Sequence, residues 1–270
     1  MVDQKKTILF EQMPIPKAVM TLAVPTVLSS LVMVFYNLAD TYFVGMLNDP
    51  IENAGVALAA PVLLAFNAVN NLFGVGSSSM MSRALGRKDY DTVYRSSAFG
   101  FYCSVISGLL FSLLCTVFKY PLMNLLGADA ETFAATDGYM LWTVTLGAVP
   151  SILNVVMAYM VRAEGASLHA SLGTMSGCLL NIILDPIFIL PQGYDMGLFK
   201  MPIGFDMGTE GAAIATVIGQ IVAFILASII NHHKNTDIHL ELRKFRPQKQ
   251  LITRIYAIGL PSVIMMAIGS

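Results

Sequence analysis

The feature that most constrains this chain is a series of long apolar runs. Residues 19–44, 54–81, 96–118, 139–161, 172–189 and 211–230 are each largely apolar, and a seventh run starts near Ile252 and reaches Ser270. A helix needs roughly 20 such residues to cross a bilayer, so each run reads as a spanning helix. Composition agrees: 56% of residues are hydrophobic and 12% charged, against about 25% charged in a soluble domain. The expected fold is an all-α membrane protein with six transmembrane helices and the start of a seventh, and no part of it is a conventional soluble domain. The first apolar run, from Ala18 to Leu47, is too long for the ~7–15-residue core of a signal peptide, so the first helix is expected to stay in the mature protein.

The basic residues supply a topology. With the N-terminus inside the cell, alternating helices place 14 of the 16 Lys and Arg residues on the cytoplasmic side and leave Lys119 and Lys200 outside. Such an excess on one side orients a polytopic protein. Tyr90 and Tyr94 then belong to the inner rim, and Tyr120, Trp142 and Tyr194 to the outer one. The basic residues form no large patch with interleaved aromatics, so a nucleic-acid partner is not expected.

Domain organisation follows from the same pattern. Residues 1–230 make a six-helix lobe. Residues 231–251, with the charged run Glu241-Leu242-Arg243-Lys244-Phe245-Arg246, make a cytoplasmic connector, part of it an interfacial helix or all of it a solvated loop. Residues 252–270 begin a second lobe. A short internal echo supports this: Ala23-Val24-Pro25-Thr26-Val27-Leu28 opens the first helix and Gly259-Leu260-Pro261-Ser262-Val263-Ile264 opens the seventh. Parallel repeats of six helices produce such an echo.

Enzyme signatures are missing. There is no phosphate-binding glycine loop with lysine, no metal-ligand quartet and no nucleophile elbow, and no cofactor is expected. Gly74-Val75-Gly76 lies within a spanning run and suits close packing or bending. Cys103, Cys115 and Cys178 read as buried small apolar residues. His232, His233 and His239 are expected in the charged loop and His169 at a helix end.

Polar residues inside the apolar runs carry the functional information. Asp40 lies toward the outer end of the first helix. A carboxylate at the centre of a spanning helix costs about 2.5–3.5 kcal/mol, and less near an end. Asn37 at i−3 and Tyr36 at i−4 share its face. Either Asp40 reaches the outer surface or it serves a proton or cation site. Asn181 and Asp185 repeat the pattern one turn apart on the fifth helix, before Pro186, where the sequence admits either a helix stop or an ion-binding carboxylate beside a freed carbonyl. On that helix Gly173 and Gly177 form a G-x-x-x-G, which suits close helix packing. Asn67, Asn70 and Asn71 line one face of the second helix. Tyr139, Pro150 and Asn154 lie on the fourth, Thr216 and Gln220 on the sixth. Amides and hydroxyls on so many helices are either interhelical glue or the lining of a wet chamber.

Several motifs, taken in order, resemble the multidrug and toxic compound extrusion (MATE) family. They are Asn37-Leu38-Ala39-Asp40-Thr41-Tyr42-Phe43-Val44-Gly45, Ser82-Arg83-Ala84-Leu85-Gly86-Arg87-Lys88-Asp89 as the loop after helix two, Arg162-Ala163-Glu164-Gly165 between helices four and five, Asn181-Ile182-Ile183-Leu184-Asp185-Pro186-Ile187-Phe188, and Gly211-Ala212-Ala213-Ile214-Ala215-Thr216. The resemblance implies twelve helices in two six-helix lobes forming a V, with organic-cation drugs exported against inward H+ or Na+. It also implies a bacterial cell membrane with the N-terminus cytoplasmic, membrane lipids as surroundings, and a C-terminal six-helix lobe of the same protein as partner. Asp40 matches the family's first-helix carboxylate, and Asn181 with Asp185 its fifth-helix polar pair. Tyr139, Asn154 and Thr216 match supporting groups, and the set is similar to the DinF-like and archaeal pattern. Tyr36, Asn37, Asn67, Asn70, Asn71 and Gln220 are then cavity-lining candidates. A related flippase of lipid-linked oligosaccharides would want a cationic central cavity instead, and a non-transporting membrane scaffold is the third alternative.

Overall fold

The computed structural model describes residues 12–195, 200–234, 245 and 249–269. Nine α-helices follow one another among these residues: α1 (Ile15–Gly45), α2 (Pro50–Gly86), α3 (Tyr90–Val117), α4 (Lys119–Leu126), α5 (Thr132–Met140), α6 (Ala148–Ala163), α7 (Ser167–Ile189), α8 (Gly208–Lys234) and α9 (Lys249–Gly269). Five of them (α1, α2, α3, α7 and α8) are long and apolar enough to cross a membrane, and α5 with α6 make a sixth, bent span. The expected all-α, six-span architecture with the start of a seventh helix is the one observed.

The sequence boundaries shift in instructive ways. The fourth span begins at Thr132 rather than near Tyr139, so Tyr139 lies within the helix and is buried. This span is also bent, about one turn before Pro150, which the sequence places inside it. Residues Leu141–Leu146 form a π-helical segment, and the axis turns by 49° between it and α6. The proline still explains the position. Pro150 offers no N–H to the carbonyl four residues before it, and its ring crowds that group. That carbonyl belongs to Leu146, the last π-helical residue.

Most of the run Ser82–Asp89, expected as a loop, continues α2 to Gly86. The two echoed proline segments lie well inside α1 and α9 rather than opening them. His232 and His233 belong to the last turn of α8, not to a loop, with rings 5.2 Å apart edge-on; His169 sits in the first turn of α7 as expected. The cysteines are free and half-buried rather than buried. Residues 231–234 and 249–251 of the expected connector belong to α8 and α9, and the rest of it, with His239 and apart from Phe245, lies outside the described residues. Phe245 stacks on Phe99 at 6.2 Å and meets Tyr102 edge-on at 4.9 Å.

Packing in a membrane depends on small residues that let backbones approach. α7 and α8 meet where a Cβ on Gly177 would stand 2.6 Å from the Gly219 carbonyl oxygen, and the reverse distance is 2.7 Å. Gly173, the other half of the G-x-x-x-G, has only ordinary contacts, the nearest at 3.8 Å. α9 lies against α2 in the same manner: Gly76 faces the Ile255 carbonyl at 2.5 Å and Gly259 the Leu72 carbonyl at 2.2 Å, measured from an added Cβ. Gly74 makes room for the Tyr159 ring of α6.

α1 is the exception. Only Ser29 and Val44 are buried along its whole length. It leans on α7 and is fixed at its C-terminal end, where Val44 packs with Ile189, Leu190 and Ala212 and the Tyr194 hydroxyl donates to the Met46 carbonyl at 3.1 Å.

Candidate ion site

The C-terminal third of α1 supplies Tyr36 and Asp40 on one face. α7, locked to α8 at Gly177, supplies Asn181 and Asp185 one turn apart, and α8 supplies Thr216 and Gln220. Thr216 joins the three helices: its Oγ1 lies 3.3 Å from the Tyr36 hydroxyl and accepts from Asn181 Nδ2 at 3.2 Å. Asn181 and Asp185 are buried at 2% and 0% exposure, and Tyr139 of α5 is buried as well. Asp40 is half-buried. Asp40 lies one turn past Tyr36 on α1 and Asp185 one turn past Asn181 on α7, so both carboxylates border the Tyr36–Thr216–Asn181 network.

The decisive feature is what these groups lack. Asp40 Oδ1, both carboxylate oxygens of Asp185 and Asn181 Oδ1 are buried without a hydrogen-bond donor from the described residues. A buried acceptor left unmatched is destabilising, and more so when it is charged. Two neighbouring carboxylates add mutual repulsion. A proton or a small cation relieves both terms together.

Beside this cluster lies a cavity of about 110 Å³ lined by Met33, Tyr36, Asn154, Thr174, Gly177, Cys178, Asn181, Thr216, Gly219, Gln220 and Ala223. Of the residues singled out from sequence, the structure gathers Tyr36, Asp40, Tyr139, Asn154, Asn181, Asp185, Thr216 and Gln220 in and around this place. The remaining four amides lie elsewhere. Asn37 and Asn67 are exposed. Asn71 accepts from the Tyr159 hydroxyl at 2.6 Å and donates to the Asn67 carbonyl at 2.9 Å. Asn70 is buried with neither side-chain atom bonded within the described residues. Sequence reasoning missed Met33, Thr174, Gly219 and Ala223. A signal existed for Gly219, because a glycine at i+3 from Thr216 shares its face of the helix and leaves room for a partner backbone to approach.

The MatE family model matches residues 25–187, which include Asp40, Asn181 and Asp185. The multidrug export protein MepA of Staphylococcus aureus is 34% identical over 95% of this chain. This chain belongs to the MATE family. A solved structure described as the outward-facing conformation of a multidrug resistance MATE family transporter superposes with a TM-score of 0.81 at 27% identity, covering 97% of this chain and 55% of that one. The inward-facing conformation of such a transporter gives 0.74 at 29% identity, covering 86% and 49%. The chain spans about half the length of the curated relatives it matches. It is a multi-pass membrane protein of a family of multidrug efflux transporters.

Proposed function

We propose that this chain forms the N-terminal lobe of a secondary antiporter. It exports cationic, amphipathic drugs from a bacterial cell in exchange for H+ or Na+, with its N-terminus cytoplasmic and a C-terminal six-helix lobe of the same protein as its partner. The observation that carries the reading is the set of buried, unmatched oxygens on Asp40, Asn181 and Asp185. These groups are arranged for a species that arrives and leaves.

Size supports the assignment of this site to the ion rather than to the drug. The adjoining cavity of about 110 Å³ is well below the ~300–1,000 Å³ of drug-sized pockets. None of its lining residues is basic, which suits a cation. The coupling step follows from how α1 is held. Ion entry quenches the repulsion between Asp40 on α1 and Asp185 on α7 and redistributes the bonds at Thr216. α1 is exposed along most of its length and contains Pro25, which removes one link of its hydrogen-bond ladder. It is therefore the helix able to bend when the Tyr36–Thr216 link changes, and that bend disfavours the drug-bound state.

The test uses the full-length protein in proteoliposomes loaded with a cationic dye. A proton or sodium gradient, imposed separately, should drive efflux, and the Asp40→Asn variant should lose it while remaining monodisperse and inserted. Equal efflux without any gradient, or undiminished efflux by Asp40→Asn at neutral pH, would overturn the proposal.

A further inference from the structure

We infer that the cytoplasmic ends of α2 and α9 bind the headgroup of an anionic phospholipid, with its acyl chain along the cleft between the two helices. A cavity of about 490 Å³ lies there, lined by Met80, Arg83, Arg87, Arg254, Ala257 and Ile258. It is separate from the ion site and shares no lining residue with it.

The charges ask for an anion. Arg83 in the last turn of α2 and Arg87 at its C-cap stand one turn apart, a like-charge spacing that is unfavourable by itself. Arg254 of α9 brings a third guanidinium to the same cavity. All three side chains are exposed, and among the described residues no ion pair involves any of them. Asp89, the nearest carboxylate in sequence, is engaged in capping α3.

The shape asks for an amphiphile. The close approaches of Gly76 to Ile255 and of Gly259 to Leu72 show that α2 and α9 run antiparallel. Ala257 and Ile258 are therefore deeper along α2, level with the turn before Gly76, while Arg83 and Arg87 stand at its C-terminal end. The cavity thus runs from an apolar inner end to a basic rim. A free phosphate uses only the rim, whereas a phospholipid uses both ends. Basic pockets between spanning helices on the cytoplasmic side suit such headgroups. The leaflet, though not the binding chemistry, rests on the orientation proposed above.

The test is native mass spectrometry of the full-length protein, delipidated in mild detergent and titrated with phosphatidylglycerol, phosphatidylcholine or inorganic phosphate. Phosphatidylglycerol should bind roughly tenfold better than phosphatidylcholine, since each basic residue near the headgroup contributes appreciably. The triple variant Arg83→Gln, Arg87→Gln, Arg254→Gln should lose that preference, and the corresponding triple Lys variant should keep most of it, which separates charge from misfolding. Equal binding of the two lipids, or a preference unchanged in the Gln variant, would sink the inference. Displacement of phosphatidylglycerol by inorganic phosphate at millimolar concentration would mark a free-anion site and overturn the lipid assignment. An acidic loop of the C-terminal lobe as the true occupant would show as no lipid adduct at this site in the intact protein. Labelling of Tyr90→Cys by an impermeant maleimide reports orientation independently. Modification from outside the cell would move the site to the outer leaflet while leaving the detergent result standing.

Discussion

Carboxylates at the rim of this protein and carboxylates buried between its spanning helices are built differently. Asp89 accepts from the Thr92 backbone N–H at 3.1 Å and from the Thr92 hydroxyl at 2.6 Å. Asp129 accepts from the backbone N–H groups of Glu131 and Thr132 and from the Thr132 hydroxyl. Asp49 accepts from Ile51 N–H, and Glu52 caps the start of α8 through the N–H and hydroxyl of Thr209. Lys119 pairs with Asp137. Asp40 Oδ1 and both carboxylate oxygens of Asp185, where desolvation is most costly, are buried with no donor among the described residues. A carboxylate with its full complement of donors holds the fold together. One that is buried and unmatched weakens the fold unless something else binds. The two groups should therefore respond oppositely to mutation.

The largest effect is expected at Asp185. Asp185→Asn removes one of two repelling charges, so gradient-driven efflux should disappear while the melting temperature in detergent stays level or rises. Asp129→Ala should do the reverse, lowering the melting temperature and sparing efflux. If Asp185→Asn melts well below the parent and Asp129→Ala also loses transport, the distinction between the two sets of carboxylates collapses.

A smaller effect tests the frame on which the ion site is mounted. Gly177→Leu forces a side chain against the Gly219 carbonyl, and overpacking of this kind costs about 1–3 kcal/mol. Gly173→Ala, with its nearest neighbour at 3.8 Å, should be close to neutral. The comparison is made by thermal unfolding of the two variants. Equal destabilisation would mean that the G-x-x-x-G acts as a unit and that the single approach at Gly177 is not what fixes α7 to α8.

Much of this was legible in the chain, for identifiable reasons. Long apolar runs leave a chain little freedom, so the spans were found. Residues one turn apart on a helix must share a face, so Tyr36 with Asp40 and Asn181 with Asp185 could be paired before any coordinates. Distances between helices were not legible, because periodicity says which face is polar and not which neighbour it meets. That is why Asn70 and Asn71 looked equivalent to Asn181, although Asn71 is bonded to Tyr159 on α6. It is also why Thr216 read as a supporting group rather than the hydroxyl shared by Tyr36 and Asn181. The fourth span hid its start because Thr132, Thr136, Asp137 and Gly138 dilute its apolar signal, although a paired Lys119–Asp137 makes that turn tolerable. The arginine cavity was invisible, since its residues are 167 positions apart between Arg87 and Arg254 (254 − 87) and meet only because α9 folds back on α2.

The smallest expected effect concerns pH at the rim and isolates one satisfied carboxylate. The Thr92 hydroxyl, then the Thr92 N–H, hold the Asp89 carboxyl below its usual value, and Arg87 and Arg95 act in the same direction. A group whose folded value is depressed contributes stability above its unfolded value, about 3.9 for an aspartate, and loses it as pH falls through the lower folded value. Asp89→Asn keeps an oxygen that can accept from Thr92 but carries no charge for the start of α3. The parent should therefore melt above Asp89→Asn at pH 6, and the gap should close as pH drops below about 4. Subtracting the two curves cancels every other carboxylate in the molecule, including Asp40 and Asp185. A gap that stays constant across that range would show that the charge of Asp89 adds nothing beyond its hydrogen bonds. The rim carboxylates would then stabilise the fold by geometry alone, and the contrast with the ion site would rest on donor count rather than on charge.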